Sequence, residues 1–159
     1  MRTAITRVLL VVVMAVAGIV VGGQGAAQAA CNGSGCAGLD PQAQGCSASA
    51  SNLTGTGWET ASTEVVRYVS WVRTSSTCNA RWTRVEFTAN PCCFTFEIAV
   101  ETQRLLNSNW VALDFRTATV GAGVLGANWT DMVENRSDDR VRSCVRLVNT
   151  AWRCGNWAA

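Results

Sequence analysis

Eight cysteines, thirteen arginines and seven tryptophans are the residues of this 159-residue chain with chemistry to offer, and no histidine or lysine accompanies them. Without His, a triad of the Ser-His-Asp or Cys-His kind has no base. Two-carboxylate hydrolysis stays open in principle. Glu97 and Glu101 share a face of one strand, but four residues of extended chain hold them about 13 Å apart, beyond the roughly 6.5–9.5 Å of an inverting pair. The Gly33-Ser34-Gly35 triplet resembles a nucleophile or phosphate loop only on paper, because no strand leads into it. Catalytic residues: none. Metal: none, since zinc sites use paired C-x-x-C spacing or histidine partners. No cofactor is expected.

The cysteines stand at 31, 36, 46, 78, 92, 93, 144 and 154. An even count in an exported chain reads as disulfides. Cys31–Cys36 closes a small loop, Cys46–Cys78 ties the first third of the chain to the middle, and Cys144–Cys154 flanks a turn near Asn149-Thr150. Cys92 and Cys93 are left to each other as a strained vicinal pair, or to partners elsewhere. Eight cysteines allow 105 pairings, so this is a preference among them.

Binding chemistry concentrates in Val72–Val85, which carries Arg73, Arg81, Trp82 and Arg84 around Cys78. An Arg84–Trp82 stack there is a surface cation–π contact worth about 0.5–1 kcal/mol. Arg stems covering the edge of a sheet are the plainer reading. Among the tryptophans, Trp110 is expected to be exposed, with Trp58 next, and an exposed ring suits stacking on a sugar.

Export follows from residues 1–29. Arg2 and Arg7 precede an apolar run over Val8–Val21, and Ala27-Gln28-Ala29 has the small-residue pattern of a cleavage site. The run is shorter than the roughly 20 residues of a bilayer span. Without Arg2 and Arg7, eleven arginines face eleven acids, so the remaining domain is neutral and has no field to steer it to nucleic acid or an anionic membrane. All-Arg usage fits a GC-rich, actinobacterial source.

Residues 30–159 read as one domain. Over 30–63 the chain is rich in Gly, Ser, Ala and Thr and needs its cysteines to hold it. Over 64–159, strands are predicted at Glu64–Arg73, Asn79–Thr88, Cys93–Glu101, Trp110–Arg116, Trp129–Glu134 and Val141–Val148. Phe94, Phe96, Ile98 and Val100 should face the core, as should Val111, Leu113 and Phe115, with Asp114 and Arg116 outward. At most one helical turn fits, near Gln103–Leu106. The fold class is all-β, a small disulfide-stapled barrel or sandwich of about six strands with a Cys/Gly-rich N-terminal loop segment.

The ordered motifs Cys31-x4-Cys36-x-Gly38-x-Asp40-Pro41, Gly45-Cys46, Val72-Arg73-x-Ser75-x-Thr77-Cys78, Trp82-x-Arg84, Thr130-x-Met132-Val133, Arg142-x-Cys144 and Cys154-Gly155-x-Trp157 resemble the YjfA-like (DUF2690) exported bacterial proteins of unknown function, mainly actinobacterial. The chain departs from that pattern at Thr74, Ser76 and Arg81, and Cys92 and Cys93 are additional to the six family cysteines. The resemblance implies an exported domain and supplies no catalytic residues. Together these readings predict a secreted, monomeric, non-catalytic domain that binds an unknown extracellular partner, either cell-wall glycan or a protein, at Arg73, Arg81, Trp82, Arg84 and Trp110. A secreted effector or toxin-like protein and a carboxylate-dependent hydrolase are the alternatives.

Overall fold

The computed structural model describes residues 30–61, 63–89 and 91–159, and the leader expected over 1–29 lies outside them. Val, Ile, Phe and Thr alternating with polar residues favour extended chain. Ten strands result among the described residues: β1 (Ala50–Asn52), β2 (Trp58–Glu59), β3 (Arg67–Ser75), β4 (Ala80–Ala89), β5 (Phe96–Leu106), β6 (Asn109–Val120), β7 (Gly126–Trp129), β8 (Val133–Glu134), β9 (Asp139–Leu147) and β10 (Arg153–Cys154). They form two open antiparallel sheets. The first runs β1-β3-β4-β7, with β2 also on β3 and β8 also on β4; the second runs β10-β9-β5-β6. The segment before them holds two 3₁₀ turns, Gly33–Cys36 and Cys46–Ser49.

Period-two alternation decides what lies between the sheets. Tyr68, Val85 and Phe87 from the first pack on Phe96, Ile98, Val120 and Val145 from the second. Val72, Val100, Val133 and Val141 form a neighbouring cluster. A third cluster lies where the cysteine-rich segment packs: Cys36, Cys46 and Cys78 surround Ala80, Trp82 and Met132. The three expected pairings, Cys31–Cys36, Cys46–Cys78 and Cys144–Cys154, are formed.

Several expectations need correction. Cys92 and Cys93 are free and exposed, not joined as a vicinal pair. Gln103–Leu106 is strand, because β5 continues to a two-residue turn at Asn107 and Ser108, both at positive φ (48° and 65°). Such turns match the twist of a hairpin. The strand expected over Trp129–Glu134 is two short ones, β7 and β8.

The largest correction concerns β6. Val111, Leu113 and Phe115 are exposed at 42%, 45% and 45%. Thr102 pairs with Asp114 but Gln103 with Ala112, so Leu113 is an extra residue in the ladder. A bulge of this kind throws the alternation out of phase. Asp114 and Arg116 therefore stand in register with buried Thr102 and Val100, on the inner side of an edge strand, where inward charge discourages pairing with another edge.

Candidate functional site

Strand register gathers three of the five predicted binding residues on the outer face of the first sheet. Arg73 on β3 pairs with Trp82 on β4, and one step along Trp71, Arg84 and Trp129 stand side by side across β3, β4 and β7. Arg73, Trp82, Arg84 and Trp129 line a hollow of about 300 Å³ together with Gln42 and Ser47, which come from the cysteine-rich segment. Cys46–Cys78 fastens that segment against the sheet and so holds Gln42 and Ser47 beside the hollow.

The electrostatics are set by what each guanidinium touches. Arg73 donates to Asn52 Oδ1 at 3.0 Å and to the carbonyl of Ala50, both uncharged. Burial, and then the like charge of Arg84, hold its pKa below the usual arginine value. Arg84 donates to Glu86 at 3.0 Å and lies over the Trp71 ring, 5.8 Å from its centroid. The stack is thus with Trp71; Trp82, the expected partner, is 2% exposed and packs among the cysteines. Trp129 is oriented by donating from Nε1 to Asp40 Oδ2 at 3.0 Å. Burial pushes the Asp40 carboxyl up, but the N–H groups of Ala43, Trp129 and Gln42 outweigh it and leave it below the usual carboxylate value.

Arg81 is elsewhere. It shares the inner face of β4 with Thr83, Val85 and Phe87 and is 6% exposed. Its Nη1 donates to the Asp139 carbonyl at 3.3 Å, and burial lowers its pKa, against the pull of Asp139. Asp139 is in turn held by two hydrogen bonds from Arg104. Arg81 belongs to the packing between the sheets.

Trp110 is exposed at 42%, as expected, but on the second sheet. There it joins the array that the sequence reading overlooked. Arg140 lies between Trp110 and Trp157, at 3.9 and 4.4 Å from the two centroids; Arg142 lies 4.3 Å from Trp157 and Arg146 lies 4.4 Å from Trp152. The guanidiniums are also held at their edges, by Gln103, Glu101 and Glu97 respectively. Faces and edges are both occupied, so the array clamps the irregular C-terminal tail to β9 and β5. The alternation Arg140-x-Arg142-x3-Arg146 was the available signal; the tryptophans that complete it come from a tail with no periodicity. Trp58, expected to be exposed, is half-buried: it meets Tyr68 edge-on at 5.5 Å and donates to Ser143 at 2.9 Å.

Most of the carboxylates are paired with arginines. Glu97, Glu101 and Asp139 on the second sheet, and Glu64, Glu86 and Glu134 elsewhere, each face an arginine. A hydrolase would need two acids converging on one cleft. Asp114, Glu134 and Asp139 do line one hollow of about 220 Å³, but Arg104 and Arg136 line it too, and each of the three acids is ion-paired to an arginine. The sulfurs of Cys31, Cys36, Cys46 and Cys78 lie within 4.8 Å of one another, but all four are consumed in disulfides and offer no thiolate to a metal. No helix among the described residues is long and apolar enough to cross a membrane. No family model, curated protein or solved structure matches the chain.

Proposed function

We propose that the protein is an exported binding domain whose ligand is an acidic glycan of the cell envelope, held in the hollow between Arg73, Arg84, Trp82 and Trp129. The carrying observation is Arg73: a guanidinium on the wall of a polar hollow, bound, among the described residues, only to uncharged oxygens. Planar guanidinium is suited to a carboxylate or phosphate. Trp129 offers apolar surface to the C–H face of a sugar, and Gln42 and Ser47 offer partners for hydroxyls. Export is supported by the cleavable-leader pattern of residues 1–29 and by three disulfides, which persist in oxidising compartments. The motif resemblance to the YjfA-like family supports the same address.

Retention on purified cell wall tests this reading, with soluble uronic-acid and neutral oligosaccharides as competitors. Retention should be competed by the acidic sugar alone and fall with added salt. Arg73→Ala and Arg84→Ala should each weaken it at least about tenfold, the size of one lost charge-assisted contact of roughly 1.5–3 kcal/mol. Unchanged retention in both variants would reject the hollow as the site. No retention, with toxicity toward other cells, would favour the effector reading.

A further inference from the structure

The two cysteines outside the disulfides sit together on a pinned turn. Cys92 and Cys93 are free and exposed just before β5, and the Pro91 carbonyl accepts from both Phe94 and Gly123 at 3.3 and 3.2 Å. The turn is therefore tied to the loop between β6 and β7. Cys93 has φ of 73°, and the neighbouring Cys92 thiol pushes its pKa up. The two are not joined to each other, and both are open to a sulfur from outside.

The surface around these thiols is apolar. Phe94, Val124, Leu125 and Val65 are exposed at 40%, 40%, 61% and 71%. Val65 and Phe94 also border a cavity of about 340 Å³ floored by Val66, Tyr68, Phe96 and Leu147. On its rim Glu64 and Arg153 form an ion pair at 2.9 Å. Exposed apolar groups gathered at one end, rimmed by charge, mark a contact surface.

We propose that this end of the sandwich is a covalent homodimer interface, closed by disulfides between the Cys92-Cys93 turns of two copies. A two-fold axis presents one patch to itself. Apolar rim then meets apolar rim, and Glu64 of each copy can meet Arg153 of the other, a charge complementarity that a self-pairing surface needs. A small-molecule disulfide is the oxidant. One Cys thiolate attacks it, forming a mixed disulfide and releasing one small thiol. A thiol of the second copy displaces the other small thiol, leaving a protein–protein S–S bond. Per bond, two protein thiols are oxidised and one small disulfide is reduced to two thiols. In the cell the oxidant depends on the export proposed above; with purified protein it does not.

The test is incubation of the purified chain with oxidised glutathione, read by non-reducing electrophoresis and mass spectrometry of the peptide spanning 92–93. A species of twice the monomer mass should form, revert with reductant, and be absent from the Cys92→Ser/Cys93→Ser double variant. Each single variant should still dimerise through its remaining thiol. Leu125→Glu, which leaves both thiols intact, should slow dimerisation about tenfold by removing apolar contact. Three results would overturn the proposal: a monomeric 92–93 peptide lighter by two hydrogens, a glutathione adduct that never proceeds to dimer, or a dimerisation rate indifferent to Leu125→Glu.

Discussion

Replacing Cys46 and Cys78 together by alanine should be the most damaging of the three disulfide removals. The bond joins residues 32 apart in sequence, closing a loop of about 33 residues. Chain entropy for such a loop gives about 3.7 kcal/mol at 25 °C, against about 2.8 for Cys144–Cys154 and about 2.2 for Cys31–Cys36, whose separations are 10 and 5. With an unfolding entropy of about 2.1 cal/mol/K per residue over roughly 130 residues, the first loss lowers Tm by about 14 °C. The other two lower it by about 10 and 8 °C. Cys46 and Cys78 are also fully buried beside Trp82 and Met132, so the lost sulfurs add a packing cost in the same direction. Against a typical domain stability of about 5–15 kcal/mol, the variant stays folded but weakened. Circular dichroism melts and urea titrations of the three double-alanine variants provide the measurement. The m-value should rise most for Cys46→Ala/Cys78→Ala, because freeing the longest loop expands the unfolded chain most. If this variant melts above the Cys31→Ala/Cys36→Ala variant, loop closure is not what the bond contributes, and the ranking is wrong.

Three further outcomes follow from particular contacts. Arg140→Ala should cost about 1–2 kcal/mol in urea unfolding, since it removes two cation–π contacts at about 0.5–1 kcal/mol each and the bonds to Gln103; Arg140→Lys should recover little of it, because an ammonium cannot lie flat between two rings. Gly155→Ala would drive its Cβ into Trp58 and displace the ring from Ser143, with an expected loss of about 1–3 kcal/mol and a changed tryptophan fluorescence spectrum; an unaltered spectrum would count against that contact. Burial raises the Tyr68 pKa to about 12, with Arg153 opposing and Glu64 assisting, so the folded chain holds its phenol proton where the unfolded chain, near 10, has released it. That contribution to stability is complete below about pH 10 and is lost as pH rises towards about 12. Tyr68→Phe should flatten the alkaline limb of the Tm profile, and as Tyr68 is the chain's one tyrosine, tyrosinate absorbance reports it directly.

Sequence by itself determined the strands that alternate cleanly and the disulfides whose partners flank a turn or a loop. Phe96, Ile98 and Val100 fall inward because a period of two is a local property, whereas Phe94, expected with them, precedes β5 and is exposed; Cys144 and Cys154 face each other because the intervening turn leaves little choice. Arg73, Trp82 and Arg84 were legible as a group for the same reason: they lie on two strands joined by a short turn. Tertiary structure alone decided the rest. Trp129 reaches Arg84 by pairing β7 with β4 across 45 residues, and the Arg140–Trp157 clamp depends on a tail without periodicity folding back on β9. The bulge at Leu113 turned Phe115 to the outer face and Asp114 and Arg116 to the inner one, because one inserted residue reverses the side to which its neighbours point. Arg81, one position from Trp82, went to the opposite face of the sheet and left the site. Non-local pairing leaves no trace in spacing along the chain, and the hollow on the first sheet exists only where two distant segments are brought to its edge.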